Sequence, residues 1–429
     1  MQTLKPSPTR QPIQRTTLDN GITLIVIENP TADIIAGRLF LKNAGTRVEP
    51  LSQAGVSHLL STVITKGTES LNAADIAEKV ESIGAGLNAE SSNDYFSIGV
   101  KTVSEDFPEM LQLVAELMRA PSLPDDEIEL EQALTLQTIF AQQEQPFNVA
   151  FNQLRAQMYP QHPYGVSVLG TSETVAQLTR TELEAYHGTY FRPDQLVISL
   201  AGRITLEQGI QEVEKVFGDW KQPSTPQPTP SLPSLTPQPS QQSIAQNTQQ
   251  TIIMLGYLTS SIQNADYPIL KLINTYLGNG LSSRLFVELR EKQGLAYDVS
   301  AFYPTRLEPS QLVTYIGTAP DNVEIALQGL RQEVKRLCEV ELTEEELQAS
   351  KNKLLGQYAL GKQSNGQLAQ LFGWYETLNR GVEFDDLFQE TIANITSEQI
   401  QTVARKYLAI EPYISLVGSN TANIGENNS

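Results

Sequence analysis

The sequence predicts an α+β protein of two tandem homologous domains, each a mostly antiparallel sheet packed with helices, joined by a Pro-rich linker. Three observations carry this: a long-range repeat of helix and strand signals, the grouping of strands beside helices within each half, and one proline cluster. The repeat is the strongest. Leu123-Pro-Asp-Asp-Glu-Ile opens a helix in the first half and Leu342-Thr-Glu-Glu-Glu-Leu opens one in the second. Both place acids in a first turn, where the helix dipole favours them. Thr179-Arg-Thr-Glu-Leu leads through Tyr190 to the apolar strand Leu196–Gly202, and Thr396-Ser-Glu-Gln-Ile leads through Tyr407 to Tyr413–Gly418. The offsets are 219, 217 and 216 residues, an agreement that argues for internal duplication.

Within the first half the elements follow in order. Asp19-Asn20-Gly21 is a hairpin turn signal. Gly21–Ile27 and Ile34–Leu41 are β-branched runs around the turn Asn29-Pro30. Helices follow around Gly55–Thr65 and Ala73–Ile83, then a strand pair near Leu87–Val100. The proline cluster divides the chain: seven of its 24 prolines, from Pro223 to Pro239, fall between Lys221 and Gln242. Such a stretch forms neither a helix interior nor a central strand and reads as an extended, semi-rigid spacer. A docking site for a Pro-binding module is the sharper reading of the same composition. The expected units are therefore residues 1–220, the linker 221–242, and residues 243–429.

Composition excludes several functions. A net charge of −19 repels phosphate backbones and anionic membranes, so neither nucleic acid nor membrane is an expected partner. The single cysteine, Cys338, rules out an internal disulfide framework and any Cys-based zinc finger, and only three histidines exist: His58, His162 and His187. No run reaches the 18 apolar residues of a membrane helix, and the polar, Pro-containing start has no apolar core like that of a signal peptide. A cytoplasmic protein is the expectation.

The chemistry-bearing stretch is Asn43-Ala-Gly-Thr-Arg-Val-Glu-Pro50 followed by Gly55-Val-Ser-His58-Leu-Leu-Ser61-Thr62-Val-Ile-Thr-Lys66-Gly67-Thr68. It closely resembles the pitrilysin-type (M16) zinc metallopeptidase family, in its small two-domain, processing-peptidase-like branch, whose pattern there is G-x-x-H-x-x-E-H followed by K-G-T. The leading T-L-D-N-G, the Asn88-Ala89 strand, His162-Pro-Tyr-Gly and the tandem domains extend the resemblance over essentially the whole chain. In the family pattern two imidazoles four residues apart on one helix face bind Zn²⁺, and the glutamate beside the second activates the metal-bound water. A distant glutamate on another helix completes that site.

Of the four metal-site positions in that pattern, this sequence keeps one. His58 stands at the first histidine, Ser61 at the catalytic glutamate and Thr62 at the second histidine. Anchored on Pro146, the distant ligand position falls at about Thr138, with no acid within three residues. One imidazole without an acidic partner does not hold zinc at useful affinity, and neither hydroxyl serves as a general base without an activating partner. No metal is therefore expected in this chain. His58 reads either as a half-buried helix residue bonded locally or as a recruit, with His162 or His187, to a new metal site. His162, in a Pro-flanked turn, reads as structural and His187 as a surface residue.

The second half keeps its motif. Asn279-Gly-Leu-Ser-Ser-Arg284-Leu-Phe-Val-Glu-Leu-Arg290-Glu-Lys-Gln-Gly-Leu-Ala-Tyr297 is similar, almost position by position, to the family's C-terminal-domain motif. That resemblance maps the family's arginine and tyrosine, which contact substrate carbonyls and the tetrahedral oxyanion, onto Arg290 and Tyr297. A guanidinium fork and a phenol are donors that can be preorganised toward developing negative charge. The plainer reading is an arginine before a Gly294 cap and a tyrosine opening a strand. A Gly278-x-Gly280 phosphate loop lacks both a third glycine and a following Lys-Ser/Thr. Asn88 and Ala89 lie on the segment resembling the family strand to which an extended substrate adds by main-chain pairing; an ordinary edge strand is the alternative.

The resemblance thus implies a subunit that is no enzyme alone. Its partner would be a catalytic M16 chain carrying H-x-x-E-H and the zinc. Together they would enclose and cleave peptides, with Arg290 and Tyr297 supplied in trans. The isolated chain remains free to form a homodimer. The alternative is a structural or peptide-binding pseudo-peptidase with no role in hydrolysis.

Overall fold

The computed structural model describes residues 12–419. The first sheet contains β1 (Ile13–Thr17), β2 (Thr23–Glu28), β3 (Ile34–Lys42), β4 (Gly86–Ser91), β5 (Tyr95–Val103) and β6 (Leu196–Gly202), in the order β1-β2-β6-β3-β5-β4. The second contains β7 (Gln241–Ala245), β8 (Thr251–Leu258), β9 (Asp298–Phe302), β10 (Gln311–Thr318) and β11 (Tyr413–Gly418), in the order β7-β11-β8-β10-β9. Each sheet is antiparallel except for one parallel pair, β2 with β6 and β7 with β11. Both sheets are packed with helices, so the α+β architecture is the one the sequence predicts. The β-branched runs on either side of Asn29-Pro30 do not pair with each other. The wholly buried β6 lies between them, as a continuous apolar run should when both faces and both edges are covered.

One face of each sheet carries its own half's helices. Phe107–Arg119 and Leu206–Phe217 pack on the first sheet, and Tyr267–Gly278, Val323–Glu339 and Ser397–Leu408 on the second. The opposite faces are covered by exchange. The Pro146–Met158 helix of the first half packs on β8 and β11, while the Asn365–Thr377 helix of the second half packs on β3 and β6. These helices begin 219 residues apart, the offset of the duplication, so each is the other's counterpart. Each contact closes over a glycine. A Cβ on Gly256 of β8 would stand 2.5 Å from Met158 Sδ, and one on Gly373 would stand 2.5 Å from Phe40 of β3.

A buried polar knot ties the halves together near the His162-Pro-Tyr-Gly turn. The Tyr164 hydroxyl donates to Asp94, whose other oxygen accepts from the Leu307 N–H at 3.2 Å. Arg47 pairs with Glu308 at 2.8 Å, and the Tyr159 hydroxyl donates to the Pro309 carbonyl at 3.1 Å. Burial pushes the Asp94 carboxyl above its usual range. His162 is structural: its Nδ1 accepts from the Tyr164 N–H, and burial pushes its pKa down to about 4. His187 is not the surface residue that its polar surroundings suggest. It is half-buried, its Nε2 lies 2.9 Å from the Met118 carbonyl, and its ring lies against Phe191.

Residues 220–240 contain no helix or strand, but residues 241 and 242, read as linker, already belong to β7. With no proline between Pro239 and Pro268, the chain regains the N–H donors that a sheet edge requires. The linker touches both halves: Gln227 donates to the carbonyl of Asn43, and the Gln238 N–H donates to the Tyr413 hydroxyl. Among the described residues no helix is long and apolar enough to cross a membrane.

Candidate functional site

The helix Val56–Val63 carries the three degenerate positions. Its N-terminus is held by the buried Glu49 carboxylate, which accepts from the N–H groups of Gly55 (2.9 Å) and Ser57 (2.8 Å) and from the Ser57 hydroxyl. An acid at that end satisfies orphan donors and complements the dipole, while burial raises its pKa. The Ser91 hydroxyl of β4 donates to Ser57, locking helix to strand.

The side chains that would have to bind and activate a metal are turned to other uses. Ser61 is buried and its hydroxyl donates to the His58 carbonyl at 2.7 Å; the Thr62 hydroxyl donates to the Leu59 carbonyl at 2.9 Å. Thr138, on the Asp125–Gln143 helix, likewise bonds the Leu134 carbonyl of its own helix. His58 is half-buried; burial lowers its pKa, opposed in part by the charge of Glu131. Glu131 is an acid the sequence reading passed over. It lies seven residues before Thr138, two helical turns away on the same face, and that spacing was the available signal. Its charge is met by Lys66 of the K-G-T segment, 2.8 Å away, which also lies 3.8 Å from Glu127. Neither His162 nor His187 joins His58: among the described residues no three His, Cys, Asp or Glu side chains gather closely enough to hold a metal ion. The residues present do not fit zinc.

Restoring part of the motif should therefore fail. Ser61→Glu combined with Thr62→His leaves Thr138 at the third ligand position and Lys66 on Glu131. The purified variant is expected to retain no stoichiometric zinc after dialysis and to hydrolyse no peptide, as atomic absorption and a peptide-cleavage assay would show. One retained zinc per chain would refute this account of the site.

The second-half motif is arranged differently. Phe286–Lys292 is a π-helical turn, a geometry often found at functional positions. It ends at Gly294, whose φ of 67° only glycine adopts without strain, with the Leu295 N–H closing on the Leu289 carbonyl at 2.8 Å. Glu288 is taken by Arg284 and Lys292, at 3.0 and 2.7 Å, so Arg290 has no carboxylate within ion-pair distance among the described residues. Its exposed guanidinium lies over the Phe286 ring at 5.0 Å. Tyr297 sits immediately before β9. Its N–H is pinned to the Gly317 carbonyl at 2.9 Å, its side chain is 58% exposed, and its hydroxyl has no hydrogen-bond partner among the described residues. The backbone is braced and both donors point to solvent.

Asn88 and Ala89 lie on β4, which pairs with β5 and has no strand on its other side among the described residues. Ala89 is half-buried against the first core, while Asn88 is exposed on the opposite face.

This is a peptidase-type scaffold of two duplicated halves from which the metal-binding side chains are missing. The chain matches a model described as "Insulinase (Peptidase family M16)" over residues 23–172 and one described as "Peptidase M16 inactive domain" over residues 177–354. It belongs to peptidase family M16, as a member lacking the catalytic motif. It is 27% identical to YmxG, an "uncharacterized zinc protease" of Bacillus subtilis, over 94% of this chain and 98% of that one. A Streptomyces coelicolor protein carrying the same description is 26% identical, with 95% and 89% covered. Two solved structures share the fold. One is a "peptidase M16 inactive domain" from Pseudomonas fluorescens (TM-score 0.89, 22% identity, 96% of this chain and 99% of that one). The other is a Helicobacter pylori protease (TM-score 0.88, 22% identity, 95% and 99%).

Proposed function

We propose that this chain is the non-catalytic subunit of a heterodimeric zinc metallopeptidase that cleaves peptides. A partner of the same family, carrying an intact H-x-x-E-H, holds the zinc. This chain helps enclose the peptide and presents Arg290 and Tyr297 to the partner's site, where they donate to the substrate carbonyl and to the oxyanion formed from it. One observation carries the reading: Arg290 and Tyr297 stand exposed and uncommitted on a braced turn, whereas Ser61 and Thr62 are bonded into their own helix. Peptide binding rests on the open edge of β4 at Asn88 and Ala89, which offers main-chain donors and acceptors to an added strand.

The test is affinity capture of this chain from cells of its own source, followed by recombination of purified chains. A stoichiometric partner with H-x-x-E-H, and peptide cleavage that appears only when both chains are mixed and disappears with a chelator, are the expected results. A second reading, a peptide-binding pseudo-peptidase with no part in hydrolysis, is favoured by β4 alone, because that edge is open whatever chemistry lies beside it. It predicts capture of this chain without any such partner, while peptides still bind.

A further inference from the structure

The face of the first sheet roofed by the Asn365–Thr377 helix is covered over β3 and β6 but open toward β5 and the β4 edge. Across that face the register sets Ser199, Arg38, Gly99 and Asn88 in one row, from β6 through β3 and β5 to β4. The Arg38 guanidinium lies over Gly99, where a Cβ would collide with it, and reaches Asn88 Oδ1 at 3.2 Å. Because a guanidinium only donates, this bond fixes the Asn88 amide with its oxygen inward and its NH₂ toward the strand edge. The inner side of Arg38 borders an open recess of about 430 Å³, walled by Gln367, Leu371 and Trp374.

Arg38 has no carboxylate within ion-pair distance among the described residues, unusual in a chain of net charge −19. Of the carboxylates on this face, Glu376 of the roofing helix is paired with Arg15 and Lys42, and Glu90 of β4 accepts from the Ser97 hydroxyl at 3.1 Å one row further along. On the other side of the row, Lys101 of β5 is exposed opposite Gly86. The open strip beside the edge therefore carries two cations and one acid already engaged.

We propose that Arg38 and the Asn88 amide it orients form a specificity subsite for an acidic side chain of a peptide strand paired on β4. The proposal rests on the reading of β4 as a peptide-pairing edge and adds the chemistry of the residue selected there. Alternate side chains of an added strand fall on this face. Strands lie about 4.8 Å apart, so a glutamate can extend over β4 to the Asn88 amide and the guanidinium beyond it, while the shorter aspartate falls short. A charge-assisted bond of this kind in a half-covered groove gives selectivity and not merely contact.

The experiment uses the whole chain and short capped fluorescent peptides of alternating Thr and Val, with Glu, Gln or Asp placed at each position in turn, read by anisotropy. Glu is expected to bind about tenfold more tightly than Gln at positions of one parity only, with Asp weaker than Glu. Arg38→Gln should abolish the preference, so that the Glu and Gln peptides bind with equal affinity. Gly99→Ala keeps the charge but displaces the guanidinium and should also weaken the preference, which secures the test if the first variant folds poorly. Equal binding of Glu and Gln to the wild type, or a preference that survives in folded Arg38→Gln, overturns the subsite and leaves the β4 reading standing. Binding of none of the peptides overturns both.

Discussion

In the proposed two-chain peptidase, Tyr297→Phe is expected to lower turnover roughly 10²–10³-fold, about 3–4 kcal/mol of transition-state stabilisation. The change removes one oxygen that has no partner in this chain and sits on a side chain more than half exposed, so neither folding nor assembly should suffer. The brace remains, because the bonds from the Tyr297 N–H to the Gly317 carbonyl and from the Thr318 hydroxyl to the Leu295 carbonyl do not involve the phenol. A donor aimed at an oxyanion acts only once that charge develops. The loss should therefore appear in kcat, with KM nearly unchanged. Arg290→Lys should weaken KM as well, since an ammonium cannot replace a planar fork on a carbonyl. Steady-state kinetics of the reconstituted heterodimer, with assembly checked by size-exclusion chromatography, decides the matter. Wild-type turnover in Tyr297→Phe would remove the oxyanion role and leave the pseudo-peptidase reading.

Much of the fold was legible because local pattern and tertiary role agree. The apolar runs Leu196–Gly202 and Tyr413–Gly418 are β6 and β11 at the predicted bounds, and both are buried throughout. Acid-rich first turns open Asp125–Gln143 and Glu344–Leu360 as expected. What local pattern does not contain is which strands meet. The insertion of β6 between β2 and β3 joins residues far apart in the chain, and nothing in the turn at Asn29-Pro30 announces it. The candidate site was legible for a similar reason and illegible at similar points. Residue identity alone displayed the loss at Ser61 and Thr62, whereas Lys66 meeting Glu131 depends on how the K-G-T segment packs against the Asp125–Gln143 helix. The polar segment around His187 misled because Glu184, Ala185 and Gly188 are exposed while the His187 ring turns onto Phe191.

The exchange of helices between halves yields the largest expected effect on stability. Gly373→Leu should cost about 3 kcal/mol or more. Its Cβ alone would stand 2.5 Å from Phe40 Cε2 and 2.8 Å from Ser199 Cβ, and neither can withdraw. Phe40 is fully buried with its ring edge against Tyr95, and Ser199 belongs to β6, bonded to a strand on each side. Gly366, near the start of the same helix, faces open space, so Gly366→Ala is the matched control. It should be neutral or stabilising by up to about 1 kcal/mol, through helix propensity. The two tryptophans report on the two halves in urea unfolding: Trp220 stacks on Phe217 of the first, and Trp374 lies on the exchanged helix of the second. Because each sheet is roofed by the other half's helix, a clash under one roof should loosen both. In Gly373→Leu, the fluorescence and far-UV circular dichroism transitions should shift together to lower denaturant and remain coincident. Separate transitions, with the second sheet melting at its wild-type midpoint, would show that the halves are stable on their own and that the exchanged helices cover the sheets without joining them into one cooperative unit.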